Sequence, residues 1–374
     1  MSKLWFLLFW AMLLSFAISY RDKRLCQDGD STRRYDKAFT LALILLLGVF
    51  CGLRTFYNDT ITYTQIYERT PVLKDFAKVN TSTYAQGIGF AYLNSLMKTL
   101  GFSTQDFLMF YSIITASCYV KFMRKTTDNF PLAVFLMFAT GFYTFAFAAI
   151  KQCMATAICL LGMEFLLRKK NIIYCLFVIC ASLFHPYALV YLLLLLMDFR
   201  PLTWRTYLYI GCFAVVGFGL NSMIGTIVDI TAMMGANYDG TSFVGEGVNI
   251  FRVLVCWVPL VLAFLCGQNM FNHSMRKENI LFNMAMLNAL IMFVGLFGTA
   301  NYFARLANYF LPAQVVVLPW MFKKIGGRNR QTLTAMCVVG YIGYFIYSNL
   351  IQSVFDDCFD KITLWQYMSS HFGA

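Results

Sequence analysis

Apolar runs recur along the whole chain, parted by short polar connections. They fall at about residues 2–20, 38–53, 104–120, 130–149, 152–167, 171–185, 186–198, 206–224, 250–267, 279–297, 306–322 and 332–350. Runs of this length predict transmembrane helices, because a hydrocarbon core about 30 Å thick takes about 20 helical residues. No long polar domain interrupts them. The chain therefore reads as a single all-α polytopic membrane domain over residues 1–374, with about twelve spans and a range of ten to thirteen. The pair 171–185 and 186–198 is short for two crossings. It is either two spans or a hairpin that stops within the membrane, which would set His185-Pro186 deep in a protein-lined cavity.

Two connections are long. Residues 54–103 open with RTFYNDTITYTQIYERTP, in which Asp59, Tyr63 and Tyr67 recur at four-residue spacing and share one helical stripe. Further on, Phe90, Leu93, Leu96, Met97 and Leu100 line one face, with Asn94, Ser95, Lys98 and Thr99 opposite. That pattern predicts a helix lying in the membrane interface. Residues 221–249 carry Gly225, Gly235, Gly240, Gly245 and Gly247 among polar residues and predict an irregular, mobile loop. The tail, 351–374, is short and at best amphipathic. The chain carries no internal repeat.

Composition agrees with a membrane protein: 59% of residues are hydrophobic, 13% are charged, and the mean hydropathy is +0.63. The 12 cysteines sit mostly inside apolar runs and form neither CxxC nor Cys/His metal spacing. No metal and no cofactor is expected. The first apolar run is followed at once by Arg21, Lys23 and Arg24 and lacks a small-residue cleavage site, so it reads as a retained helix rather than a signal peptide.

The net charge of +12 could suggest a nucleic-acid partner, but its distribution does not. Alternate connections (21–37, 121–129, 168–170, 199–205, 268–278 and 323–331) hold twenty of the 30 Lys and Arg residues. The positive-inside rule makes that side cytoplasmic. The other side, which includes both termini, balances ten basic against ten acidic residues. The excess therefore serves orientation and contact with anionic membrane lipids.

Five cationic or titratable residues break into the apolar pattern: Arg54, Lys151, His185, Arg252 and Arg305. Charge in that setting is expensive and points to function by default. The topology places all five on the outer side. Each has a plainer reading. Arg54 and Arg252 can be interfacial anchors, Lys151 and Arg305 structural charges, and His185 a packing residue with a hydrogen bond. Asp59 can pair with Arg54 or cap a helix, Glu246 can be solvated on its loop, and the outer tyrosines can be belt residues. The convergence of four cations and a histidine on one face suits a multiply charged anion such as a pyrophosphate.

Several segments resemble the EpsG family of bacterial exopolysaccharide polymerases. GVFCGLRTFYNDTITYTQIYE is similar to its opening motif, and YTFAFAAIKQCMATAICLLGMEFLLRKK to its second. LFHPYALVYLLLLL is similar to its third, and ANYFARLANYFLPAQVVVLP to its Arg-containing late segment. The likeness covers about residues 40–320. Two positions depart from it: Lys151 stands where the family usually has Arg, and Asn58 where a glycine is more common before the Asp. Lysine keeps the charge but loses the bidentate fork.

The resemblance implies a Wzy-type, GT-C-like enzyme related to O-antigen ligases and working without a metal at the outer face of the cytoplasmic membrane. Such an enzyme moves a glycan from undecaprenyl diphosphate onto a hydroxyl of a second lipid-linked repeat unit. Donor and acceptor are then both undecaprenyl-diphosphate-linked oligosaccharides, with chain-length regulator and export proteins as further partners. On this footing Arg54, Lys151, Arg252 and Arg305 are expected to bind diphosphate, and His185, Arg305 and Lys151 to be catalytic. Asp59, Tyr63 and Glu246 are expected at the sugar. Two alternatives stay open: an O-antigen-ligase-like transfer to another acceptor, and a flippase or transporter of lipid-linked oligosaccharide.

Overall fold

The computed structural model describes residues 2–27, 36–78, 87–233, 247–298, 300–325, 327–351, 357–359 and 363–372. Among these, the regular structure is entirely helical. The chain opens with α1 (Ser2–Gln27), α2 (Ala38–Gly52), α3 (Thr60–Arg69), α4 (Ile88–Thr99) and α5 (Thr104–Thr126). The next expected span is two helices, α6 (Phe130–Ala139) and α7 (Phe142–Ala148), bent by 49° at Gly141, whose φ is +77°. Then come α8 (Ile150–Leu167), α9 (Asn171–Ser182) and a 3-10 helix over Pro186–Leu196. After these lie α10 (Trp204–Phe218), α11 (Leu220–Met233), α12 (Ile250–Cys266) and α13 (Arg276–Val294). The chain closes with α14 (Ala300–Asn308), α15 (Leu311–Ile325), α16 (Gly327–Ile351) and α17 (Leu364–Phe372).

Every expected apolar run falls on helix, but not every one is long and apolar enough to cross by itself. Among the described residues, three helices, α1, α8 and α13, are long and apolar enough to span, or up to five spans if the bent pairs α6–α7 and α10–α11 each count as one. Among the remaining runs, those at 104–120 and 332–350 lie in unbroken helices of 23 and 25 residues, and the others are shorter or broken. In the pair 171–198, α9 has 12 residues, about 18 Å at the helical rise, so it falls short of the hydrocarbon thickness. The Tyr174 hydroxyl donates to the Tyr191 carbonyl at 2.6 Å and holds the two arms of this hairpin together.

Helices meet where side chains are small. α2 lies against α5 at Gly48 and Gly52, where an added Cβ would come within 2.8 Å of the Ile113 Cα and 2.6 Å of the Met109 sulfur. The charged side chains then sort to one end of the bundle. Arg124, itself buried, holds Asp22 at 2.9 Å, and Arg21 holds Asp36 at 3.2 Å. Arg168 and Lys125 both hold Glu164, Arg276 holds Asp198 at 2.7 Å, and Lys323 holds Asp128 at 3.4 Å. All lie in or beside the connections expected to be cytoplasmic. Arg54, Lys151, His185, Arg252 and Arg305 lie at the other end of the helices concerned.

Two expectations about the loops need correction. The connection 221–249 does not begin as an irregular loop: α11 runs to Met233, with Leu220, Ile224 and Val228 on an apolar stripe. Its glycine-rich remainder, 234–246 and with it Glu246, lies outside the described residues. In α4 the buried face is not the all-apolar one. Phe90, Ala91, Asn94, Ser95 and Met97 are buried, whereas Leu100 is exposed. The polar pair can be buried because the protein answers it: the Tyr111 hydroxyl donates to Asn94 Oδ1 at 3.0 Å, and Ser95 donates to the Pro71 carbonyl at 2.6 Å. The helix is thus packed on α5 instead of lying apolar side down. The described part of the tail also docks at this end: Thr55 N–H donates to the Cys358 carbonyl at 2.9 Å, and the Tyr367 hydroxyl to Asp106 Oδ1 at 2.6 Å.

Candidate functional site

Among the described residues Arg54 is the most deeply buried cation, and its bonds are all to the protein scaffold. It is 1% exposed. Nη1 donates to the Cys51 carbonyl at 2.6 Å and to Ser112 Oγ at 3.1 Å, and Nε donates to Thr60 Oγ1 at 3.1 Å. Thr60 in turn donates to the Phe147 carbonyl at 3.0 Å. A guanidinium at the C-terminal end of α2 is also favoured by the helix dipole. Arg54 therefore ties α2 to α3, α5 and the last turn of α7. The structure does not bring it to an open surface where a diphosphate could lie.

Asp59 starts α3, yet its side chain makes no capping bond there and does not meet Arg54. It meets Arg305 instead, Oδ2 to Nη2 at 3.0 Å, with both side chains partly open at 38% and 46% exposure. The residue before it, Asn58, has φ +43°. Asparagine enters this left-handed region more readily than most residues.

Arg305 sits in the last turn of α14, just before the chain breaks at Tyr309-Phe310. A helix end inside a membrane leaves carbonyls without donors, which must be met by the protein. Here side chains bond the carbonyls of this turn, including that of Ala307, which also accepts from the Phe310 N–H at 2.9 Å. Gln152, buried, donates to the Arg305 carbonyl; Asn288 donates to that of Ala307 at 2.8 Å; and the Tyr191 hydroxyl donates to that of Tyr309 at 2.6 Å. The backbone that carries Arg305 is held from α8, α13 and the 3-10 helix at once.

Lys151 lies in the first turn of α8, where a cation opposes the helix dipole. Its ammonium is 5.5 Å from the centre of the Phe90 ring. His185, at the tip of the α9 hairpin, holds Nδ1 2.7 Å from the Tyr309 hydroxyl and feels the charges of both Lys151 and Arg305. The tip is fixed from α4, where the Gly89 N–H donates to the Leu183 carbonyl at 2.8 Å. Tyr63 completes this side. Its phenol is pushed well up by burial, with the Asp59 charge adding and the Arg305 charge and a Lys151 main-chain hydrogen bond opposing, so it stays protonated. It packs edge-on to Phe90 at 6.1 Å. Tyr67 is a packing residue, stacked on Phe107 at 4.7 Å.

On the other side of Arg305 opens a cavity of about 950 Å³. Asp59, Arg252 and Arg305 line it, with Tyr57, Asn249, Asn308, Tyr344, Tyr347 and Ser348 as its polar and aromatic wall. The α6–α7 break supplies Thr140, Gly141 and Thr144 to the same wall. Arg252 lies in the first turn of α12, capped by Asn249, and donates to Asn308 Oδ1 at 3.0 Å. The starts of α8 and α12 reach the cavity through Ala149 and Asn249, and helix N-termini add positive potential.

The structure thus joins Asp59, Arg252 and Arg305 in one cavity. It places Lys151, His185 and Tyr63 behind Arg305, leaves Arg54 in the scaffold, and does not describe Glu246. Sequence reasoning missed Asn308, which follows Arg305 at three-residue spacing on the same helix, and Tyr309, which lies at the break just after it. It also missed Tyr344, Tyr347 and Ser348, which repeat the same spacing within an apolar run.

A family model described as the EpsG family matches residues 37–368, nearly the whole chain. No curated protein and no solved structure matches it.

Proposed function

The chain belongs to the EpsG family, and from that premise we propose that it is a membrane-embedded polysaccharide polymerase. It transfers a glycan from undecaprenyl diphosphate to a hydroxyl of a second lipid-linked repeat unit, at the outer face of a bacterial cytoplasmic membrane. The observation that carries this reading is the cavity in which Arg252 and Arg305 meet beside two helix starts, walled by asparagines and tyrosines. Cations and helix N-termini suit a diphosphate, and flat aromatic and amide groups suit sugar.

In this mechanism the acceptor hydroxyl oxygen attacks the anomeric carbon of the donor glycan. The bond from that carbon to the diphosphate oxygen breaks, and its electron pair leaves with undecaprenyl diphosphate. Negative charge grows on the leaving group, so Arg252 and Arg305 stabilise the transition state more than the ground state. Arg305 must turn from Asp59 to do so, which frees a carboxylate for the sugar. On the far side, His185 takes the acceptor proton on Nε2 while Nδ1–H donates to Tyr309. Lys151, close enough for its charge to act on His185, meets the diphosphate of the acceptor lipid as a point charge.

The test is a glycan ladder from cells carrying Arg305→Ala, Arg252→Ala or His185→Ala, with membrane insertion confirmed. Single-repeat lipid intermediates should accumulate in each. Normal polymer from all three would sink the assignment, and loss of the single-repeat intermediate from the outer leaflet would point to transport instead.

A further inference from the structure

A second opening lies at the opposite end of the bundle, in a groove of about 340 Å³ between the last turns of α5 and α8. Its floor is apolar: Phe122, Leu160, Leu161, Met163 and Leu167. Its rim is charged: Lys121, Lys125 and Arg168 against a single acid, Glu164. That acid serves to arrange the rim, since it accepts from Lys125 and holds Arg168 at 2.7 Å, while Lys121 stays exposed. The start of α13 adds cations beside it. Lys277 reaches the Lys125 carbonyl at 3.5 Å, and Arg276 donates to the Leu166 carbonyl.

We propose that this groove is a binding site for one anionic phospholipid, with the phosphodiester at the Lys121–Lys125–Arg168 rim and the glycerol and upper acyl carbons on the apolar floor. Three features select this occupant. The rim keeps an excess of positive charge after Glu164 is counted. The floor directly below it is apolar, which a free phosphate would not use. The groove also lies at the end of α8, a helix long and apolar enough to cross the bilayer, so it sits at headgroup depth. This inference does not depend on the chemistry assigned to the far cavity.

The test uses the full chain, purified in a mild detergent and examined by native mass spectrometry against phosphatidylglycerol, phosphatidylcholine and glycerol phosphate. One phosphatidylglycerol per chain should be retained, in preference to the other two. Lys121→Gln with Arg168→Gln, both exposed positions, should weaken retention by roughly 25-fold, about fivefold for each cation removed near an anionic surface. Leu161→Trp, which fills the floor without changing charge, should also abolish retention. Arg205→Gln with Lys324→Gln removes the same charge away from the groove and should leave it intact. Equal loss from both double variants would mean diffuse surface attraction only and would overturn the site. Equal retention of phosphatidylcholine, or equally tight glycerol phosphate, would overturn the anionic-lipid assignment.

Discussion

Replacing Arg305 by alanine separates stability from catalysis at a single residue. The Arg305–Asp59 pair is 46% and 38% exposed, so its attraction is screened by solvent and contributes at most about 1 kcal/mol to folding. In a protein of this size that shifts Tm by about 2 °C or less. The carbonyl of residue 305 keeps its bond to Gln152 in the variant, because that bond is to the main chain. Catalysis should respond far more. Removing one preorganised donor from a developing anion typically costs about 2.7–4 kcal/mol, a factor of about 10²–10³ in rate. The expected result is therefore a near-normal melting curve together with a loss of about 10²–10³ in polymer formed per unit time from purified lipid-linked repeat units. Arg305→Lys keeps the charge without the fork and should fall between the two proteins. A folded Arg305→Ala protein that polymerises within threefold of the parent would refute the assignment of Arg305 to the leaving group. A variant whose melting falls by 10 °C would refute the claim that the pair is marginal for stability.

Three further outcomes follow from the same geometry. Tyr309→Phe removes the hydroxyl beside His185 Nδ1 without changing the packing volume, and should lower turnover about 3–10-fold in an initial-rate assay with little effect on melting. Gln152→Ala leaves the Arg305 carbonyl without its donor in the interior and should destabilise by about 1–3 kcal/mol, read as lower Tm and yield. Arg54→Lys should behave as a folding variant: one ammonium cannot reach Cys51, Thr60 and Ser112 together, so melting should drop by several degrees, and retention of full stability with lost activity would return Arg54 to the list of substrate contacts.

Local pattern revealed the helices and the sidedness of the charges, because both depend on residues near one another in sequence. The apolar runs fall on helix, and the connections counted as basic gather their ion pairs at one end. Pairing across the chain was not visible. Asp59 and Arg305 are 246 positions apart, and nothing in either segment says that Asp59 would choose Arg305 over the nearer Arg54. Arg54 was grouped with the other cations because it too interrupts an apolar run. Only its neighbours, Ser112 among them, show that the charge is spent inside the scaffold. Asn58 is the reverse case: its φ of +43° gives a physical reason for a departure that the sequence alone could only record.

The helix breaks explain why the end of the bundle that carries the cavity is so rich in buried polar side chains. The α6–α7–α8 segment and the α14–α15 junction both interrupt what would otherwise be crossings, and they do so at the end that carries the cavity. A continuous helix would satisfy its own carbonyls but would present only side chains on a cylinder. A broken one can aim a helix start such as that of α8 at the cavity, where the start of α12 also lies. Its cost is a set of unmatched carbonyls at a depth where water is scarce. Thr60, Gln152 and Tyr191 offset that cost by donating to Phe147, Arg305 and Tyr309, and Asn288 adds a second bond to the Ala307 carbonyl, which also accepts from the Phe310 N–H. These donors therefore form a class distinct from Arg252, Arg305 and His185. Their replacement by apolar residues should reduce the amount of folded protein, whereas replacement of those three should reduce what each folded molecule does.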